Sequence, residues 1–147
     1  MVALAADIRI CADDAQFGVP AAKLGVGYPY EATAQLVALV GPGHASEIMF
    51  SGRRMDALEA ERIGLVNRCV AKHELEATVR SLAKDIAGNA PLSHIAHKRS
   101  IASAVQGSPP AARPPIDDAI AAAWRSDDCA EGRRSFMERR PPVFNGN

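Results

Sequence analysis

Apolar positions along this chain follow two different periods, and the places where one gives way to the other mark its elements. From Ile8 to Cys11 apolar and polar residues alternate as in a strand. Beyond a turn at Asp13-Asp14, Ala15 to Val19 reads as a second short extended piece. Ahead of both, Met1 to Ala6 has the alanine and leucine content of a helix. Pro20 suits the first turn of a brief helix that ends near Gly25. Glu31 to Val40 places Ala34, Leu36, Val37, Leu39 and Val40 on a helix that Gly41 closes, and Pro42 opens the next, carrying Ile48, Met49 and Phe50. Both are expected to be buried on one side.

The sharpest local signals lie between Ser51 and Val70. Asp56 can cap a helix by offering its carboxylate to the first free amides, and Glu59 stands three residues later, where a reciprocal cap and the helix dipole both favour an acid. Leu58 and Ile63 are the expected apolar positions of that short helix. Gly64 supplies a left-handed stop, and Leu65 to Val70 reads as a buried strand. Farther on, Leu75, Val79, Leu82, Ala83 and Ile86 fall at helical spacing within 73–86, with Gly88 and Asn89 as the stop. Pro91 begins another helix, which Gly107 ends after Gln106.

Ser108 to Pro115 holds four prolines in eight residues, and their missing amides predict a hinge or exposed linker with no helix. Pro115 to Trp124 and Asp127 to Arg139 read as two final helices, the second capped by Ser126 or Asp127 and followed by a Pro-Pro stop. The character changes near Asn89, from mixed strands and helices to helices alone. The expected organisation is therefore an α/β, helix-rich fold with a core portion over 1–89 and a helical region over 90–147.

Composition narrows the classes of function. With 48% hydrophobic residues and a net charge of zero over 147 residues, the chain has material for a core and no overall field to attract nucleic acid. No aromatic and basic residues interleave as a single-strand platform requires, so no nucleic-acid partner is expected. The apolar run at the start stops at Asp7 and Arg9, too short for a membrane span and without a basic leader, which predicts no membrane span and a cytoplasmic chain. Cys11, Cys69 and Cys129 are odd in number and widely spaced, and are expected to be reduced, buried small hydrophobes. His94 and His97 lie three apart on one helix with no third ligand nearby in sequence, so no metal and no cofactor are expected.

The spacing of Asp56-Ala57, Glu59-Ala60 and Gly64-Leu65-Val66-Asn67 closely resembles a segment of the crotonase superfamily, whose best-known members are the enoyl-CoA hydratases and isomerases. Two more stretches are similar to the family in the same order: Ala5-Ala6-Asp7-Ile8-Arg9-Ile10 followed by Ala15-Gln16-Phe17-Gly18-Val19-Pro20, and the tail Glu131-Gly132, Phe136, Glu138 to Phe144. The resemblance covers essentially the whole chain but begins in the middle of the family's pattern. It implies a truncated crotonase-like fold, a remnant of the ββα spiral followed by C-terminal helices that serve oligomerisation and cover coenzyme A.

The resemblance also implies a chemistry, and most of the groups it requires are missing from this sequence. Crotonase reactions pass through an enolate of an acyl-thioester, stabilised by two backbone amides whose family segments lie upstream of Met1. Hydration further needs two carboxylates within reach of one substrate. Counted from the matching motifs, the first family glutamate falls on Met1 and the second on Ala21, so no catalytic residue is expected. Glu31 is the nearest acid, but acids also favour the start of an ordinary helix. The stretch Gly27-Tyr28-Pro29-Tyr30-Glu31-Ala32 departs from the family's Pro-Gly pattern; its two tyrosines could line an acyl pocket or pack in a core or surface groove.

At the other end, Phe136 and Arg139 occupy the positions that the family uses near the adenine and phosphate of coenzyme A. With Arg133, Arg134 and Arg140 they make a basic cluster suited to phosphate, or simply a solvated helix end where cations meet the dipole. The resemblance thus implies an enoyl-CoA hydratase/isomerase relative from acyl-CoA (fatty acid) metabolism, binding an acyl-CoA thioester and inert alone. Two alternatives stand beside it: one half of a split hydratase, active with a separate N-terminal chain, and a non-catalytic module joining mixed trimers of full-length relatives. Exposed strand edges and apolar faces would favour self-association or a second crotonase-family chain.

Overall fold

The alternation near the start of the chain yields a strand, though a short one. β1 spans Ile10–Ala12 and pairs in parallel with β4, Arg68–Val70, so that Ile10 faces Arg68, Cys11 faces Cys69 and Ala12 faces Val70. The second extended piece becomes β2, Gln16–Phe17, antiparallel to β3, Met55–Asp56. These pairs lie in the first of two compact units, which divide between Val79 and Arg80 in a computed structural model that describes residues 2–147. The division falls earlier than the change in character near Asn89.

In the first unit the chain opens on a 3-10 turn, Val2–Ala5, tighter than the helix expected there. Pro20 leads into α1, Ala21–Leu24, which Gly25 ends in the left-handed conformation. The two helices expected on either side of Gly41 join as α2, Tyr30–Ser51, broken at Gly41 with φ 74° and ψ 166°. Glycine can adopt that angle, and Pro42 can then start the next helical turn because its missing amide has no partner to lose. Leu36, Val40, Ala45 and Ile48 are the buried side of this bent helix, whereas Phe50 projects into solvent. They pack with Cys11, Met55, Ala57, Ala60, Leu65 and Val66 into one apolar core.

α3, Ala57–Arg62, starts where Asp56 predicts: the Asp56 carboxylate accepts the Glu59 amide at 2.8 Å. Glu59 does not return the bond. Its carboxylate is taken by the Arg53 guanidinium, which also binds Glu47 of α2 and holds Glu59 below the usual carboxylate range. A charge-assisted pair outcompetes a neutral amide for the same oxygen atoms. The expected apolar side is corrected in part: Ile63 packs against the core, but Leu58 does not. Leu58 is 68% exposed, while Ala57 and Ala60 are fully buried, because only small residues fit where α3 meets the strand pairs.

The expected strand from Leu65 is shortened for a related reason. The amides of Leu65 and Val66 both donate to the Ala60 carbonyl, at 2.9 and 3.2 Å, closing the end of α3 around Gly64. Those donors are spent, and the first amide to bond across to the β1 segment is that of Asn67, to the Arg9 carbonyl at 2.8 Å.

A 3-10 turn at Lys72–Glu74 leads into α4, Leu75–Ala87, within which the division between the units falls. The second unit continues with α5, Pro91–Gln106, α6, Pro114–Arg125, and α7, Asp127–Glu138. The proline-rich stretch is not devoid of helix. Pro110 opens a 3-10 turn to Ala112, and Pro114 and Pro115 occupy the first positions of α6, where no amide partner is required. Among the described residues the buried apolar positions here are Ala96 and Ala119, while Ile101, Val105, Trp124 and Met137 remain exposed.

Candidate functional site

The residues matched to coenzyme A lie at the end of α7, and both helix ends are defined by specific bonds. At the start, Ser126 Oγ accepts the Cys129 amide at 3.0 Å, and Asp127 and Asp128 place negative charge in the first turn. At the finish, the Arg139 amide donates to Phe136 O at 3.3 Å and the Arg140 amide to Ser135 O at 3.1 Å. This pair of bonds needs a left-handed residue between helix and tail, and Arg139 takes that role with φ 54° and ψ 40°. Among the described residues it alone, glycines aside, has a positive φ. Phe136, three residues earlier in the last turn of α7, is 81% exposed.

The basic cluster is less uniform than its sequence. Arg140 is committed to carboxylates: its Nη1 and Nη2 reach the two Glu131 oxygens at 2.5 and 2.9 Å, and its Nε reaches Glu138 at 2.6 Å. Arg133 lies over the Trp124 ring, 5.6 Å from its centroid. Arg134 and Arg139 are exposed. The full four-arginine field expected from the sequence is therefore reduced, because Glu131 and Glu138 offset Arg140.

Those carboxylates also fasten the tail. Glu131 Oε1 accepts the Val143 amide at 3.1 Å, and the Arg140 bonds, followed by this amide, bring the Glu131 pKa down to about 2. Asp128, buried, accepts the amides of Asn145 at 2.7 Å and Gly146 at 2.9 Å. The Asp127 amide donates to the Asn147 carbonyl at 2.7 Å. Beside this strap an open cleft of about 330 Å³ is lined by Ser93, His97, Trp124, Asp128, Cys129 and Phe144. His97 shares it, whereas the His94 ring meets the Ile86 carbonyl at 2.8 Å.

At the family's acid positions, Met1 lies outside the described residues and Ala21 is a buried methyl at the first position of α1. Glu31 stands exposed in the first turn of α2, where the dipole favours it. Tyr30 is 81% exposed, so packing does not account for it, while Tyr28 is half-buried. The three thiols are free, but only Cys11 is buried; Cys69 and Cys129 are half-buried. Sequence reasoning missed the work of Asp128 and Glu131, whose signal was limited to acids in the first turns of a helix followed by a short tail.

Comparison with known proteins agrees with this architecture. The family model for enoyl-CoA hydratase/isomerase matches residues 1–147. Carnitinyl-CoA dehydratases of Citrobacter koseri and Salmonella typhi are each 37% identical over 150 residues, covering 99% of this chain and 57% of theirs. Among solved structures, an enoyl-CoA hydratase/isomerase family protein from Hyphomonas neptunium is 35% identical with a TM-score of 0.89, over 98% of this chain and 55% of that one. An enoyl-CoA hydratase/carnithine racemase from Magnetospirillum magneticum is 38% identical, also at 0.89, over 98% and 53%. The chain spans little more than half the length of these relatives. Its helix-rich α/β fold is the crotonase fold, and the chain belongs to the enoyl-CoA hydratase/isomerase family.

Proposed function

We propose that these residues supply the coenzyme A-binding part of an acyl-CoA enzyme, and that a polypeptide of these 147 residues alone does not catalyse hydration. The observation that carries the binding reading is the end of α7: an aromatic ring left 81% exposed one turn from a cation held in a left-handed conformation. A residue kept in so unfavourable a backbone region points to a role for its side chain. Phe136 stacks on the adenine and Arg139 pairs with a phosphate. In this reading the 90–147 region serves as the cover of the coenzyme A site and 1–89 as the core portion.

Silence in catalysis follows from chemistry. Ala21 can neither take nor give a proton, and the amides that would stabilise an enolate oxygen belong to segments other than these. The remaining part, whether in the same polypeptide or in a separate chain, supplies the enolate-stabilising amides; with Ala21 in place of an acid, the completed site runs a family reaction that does not use that carboxylate. Cytoplasmic residence and a role in fatty acid metabolism accompany the ligand class.

Titration of the purified chain with coenzyme A, crotonyl-CoA and carnitinyl-CoA, alongside a hydratase assay, tests both halves of the proposal. Saturable binding without turnover is expected. Turnover of crotonyl-CoA well above background would overturn the silent reading, and no binding of any thioester would overturn the ligand class. A second reading, assembly with another crotonase-family chain, is favoured by the exposed Ile101, Val105, Trp124 and Met137. Copurification separates its forms: a truncated partner supports a split enzyme, and a full-length relative supports mixed trimers.

A further inference from the structure

Pairing of β1 with β4 brings together two thiols from distant parts of the sequence. Residues directly opposite on neighbouring strands project from the same face, so the register that sets Cys11 against Cys69 places their side chains side by side. Neighbouring strands run about 4.8 Å apart. That spacing falls within the roughly 4.4–6.8 Å between Cα atoms that a disulfide spans, and closing the bond draws the two Cβ atoms in to about 4 Å. Both cysteines are free, and the Cys69 thiol is near enough to help raise the Cys11 pKa. The Glu61 carboxylate accepts the Cys69 amide at 2.9 Å and fixes this strand position from α3.

We propose that Cys11 and Cys69 form a reversible cross-strand dithiol site, oxidised to an intramolecular disulfide by low-molecular-weight disulfides of the glutathione type. Cys69, half-buried, is the thiol that solution reagents reach first; Cys11 is only 7% exposed. The Cys69 thiolate attacks one sulfur of glutathione disulfide, releasing one glutathione and leaving a mixed disulfide. The Cys11 thiolate then attacks the Cys69 sulfur, releasing the second glutathione. Two protein thiols are oxidised, one glutathione disulfide is reduced to two glutathione molecules, and their protons pass to the departing thiolates. Burial pushes the Cys11 thiol up to about 11, with the neighbouring Cys69 adding to it, so the second step is the slow one. Among the described residues β1 and β4 pair only with each other, and the bond would staple that ladder covalently.

The purified chain is incubated with glutathione disulfide under native conditions, alkylated, and mapped by mass spectrometry without reduction. The expected product is a monomer lighter by two hydrogens, with alkylatable thiols reduced from three to one, a peptide linking Cys11 to Cys69, and full reversal by dithiothreitol. Cys69→Ser and Cys11→Ser should each abolish the link; if either variant fails to fold, the wild-type map still decides. A glutathione adduct that persists on Cys69 while Cys11 remains alkylatable would overturn the proposal. So would a Cys129-linked dimer as the product, or three thiols unchanged.

Discussion

Replacing Arg139 with glycine and, separately, with alanine isolates the backbone of this residue from its charge. Arg139 sits at φ 54°, in the left-handed region. For a residue with a Cβ that conformation costs about 1–2 kcal/mol. Glycine removes the clash but loses about 0.5–1 kcal/mol through its greater freedom in the unfolded chain. Arg139→Gly should therefore be more stable than Arg139→Ala by about 0.7 kcal/mol at the centre of these ranges, or roughly 2–3 °C in Tm for a chain of this size. Thermal unfolding followed by circular dichroism measures the difference. Both variants lack the guanidinium, so both should bind coenzyme A about tenfold more weakly, the lower range for a lost charge-assisted hydrogen bond at an exposed site. Equal stability of the two variants would refute the strain argument. Wild-type affinity in Arg139→Ala would refute the phosphate contact, and the two results are independent.

Three further outcomes follow from bonds described above. Asp128→Ala removes a buried acceptor of two tail amides and should cost about 2 kcal/mol in chemical denaturation, because amides set against the protein lose their partner. Glu131 has its pKa depressed from 4.5 to about 2, first by Arg140, so the stability it lends is fully present above pH 4.5 and fades as the pH falls toward 2; thermal melts of Glu131→Gln should be lower at neutral pH and flatter across that window. Asp56→Ala deletes the cap on α3 and should destabilise the first unit by about 1 kcal/mol, read as a shift of the denaturation midpoint.

What could be read from the sequence was governed by how far apart the deciding residues lie. The Asp56 cap, the break at Gly41 and the Ser126 cap each depend on neighbours within a few positions, and each was legible. Leu58 was misplaced because helical spacing identifies an apolar position without saying which side a strand pair will cover. The early start given to β4 failed because Leu65 and Val66 look like strand residues, while their amides are taken by Ala60. Opposition of Cys11 to Cys69 depends on a register that no local pattern specifies. At the candidate site Phe136 and Arg139 were singled out through resemblance alone; Arg140 was grouped into a phosphate field because its partner Glu131 stands more than two turns back along α7.

The strap beyond α7 is recognised through its backbone. Glu131 takes the amide of Val143, and Asp128 takes those of Asn145 and Gly146, while the Val143 side chain itself is 66% exposed. Anchors of this kind are indifferent to which side chains pass over them but sensitive to how many residues do. Variants of this tail should accept varied side chains at Pro142 and Val143, yet a single insertion or deletion between Arg140 and Val143 would present the wrong amides to both acids. What this segment must keep is its length, more than the identity of its side chains at 142 and 143.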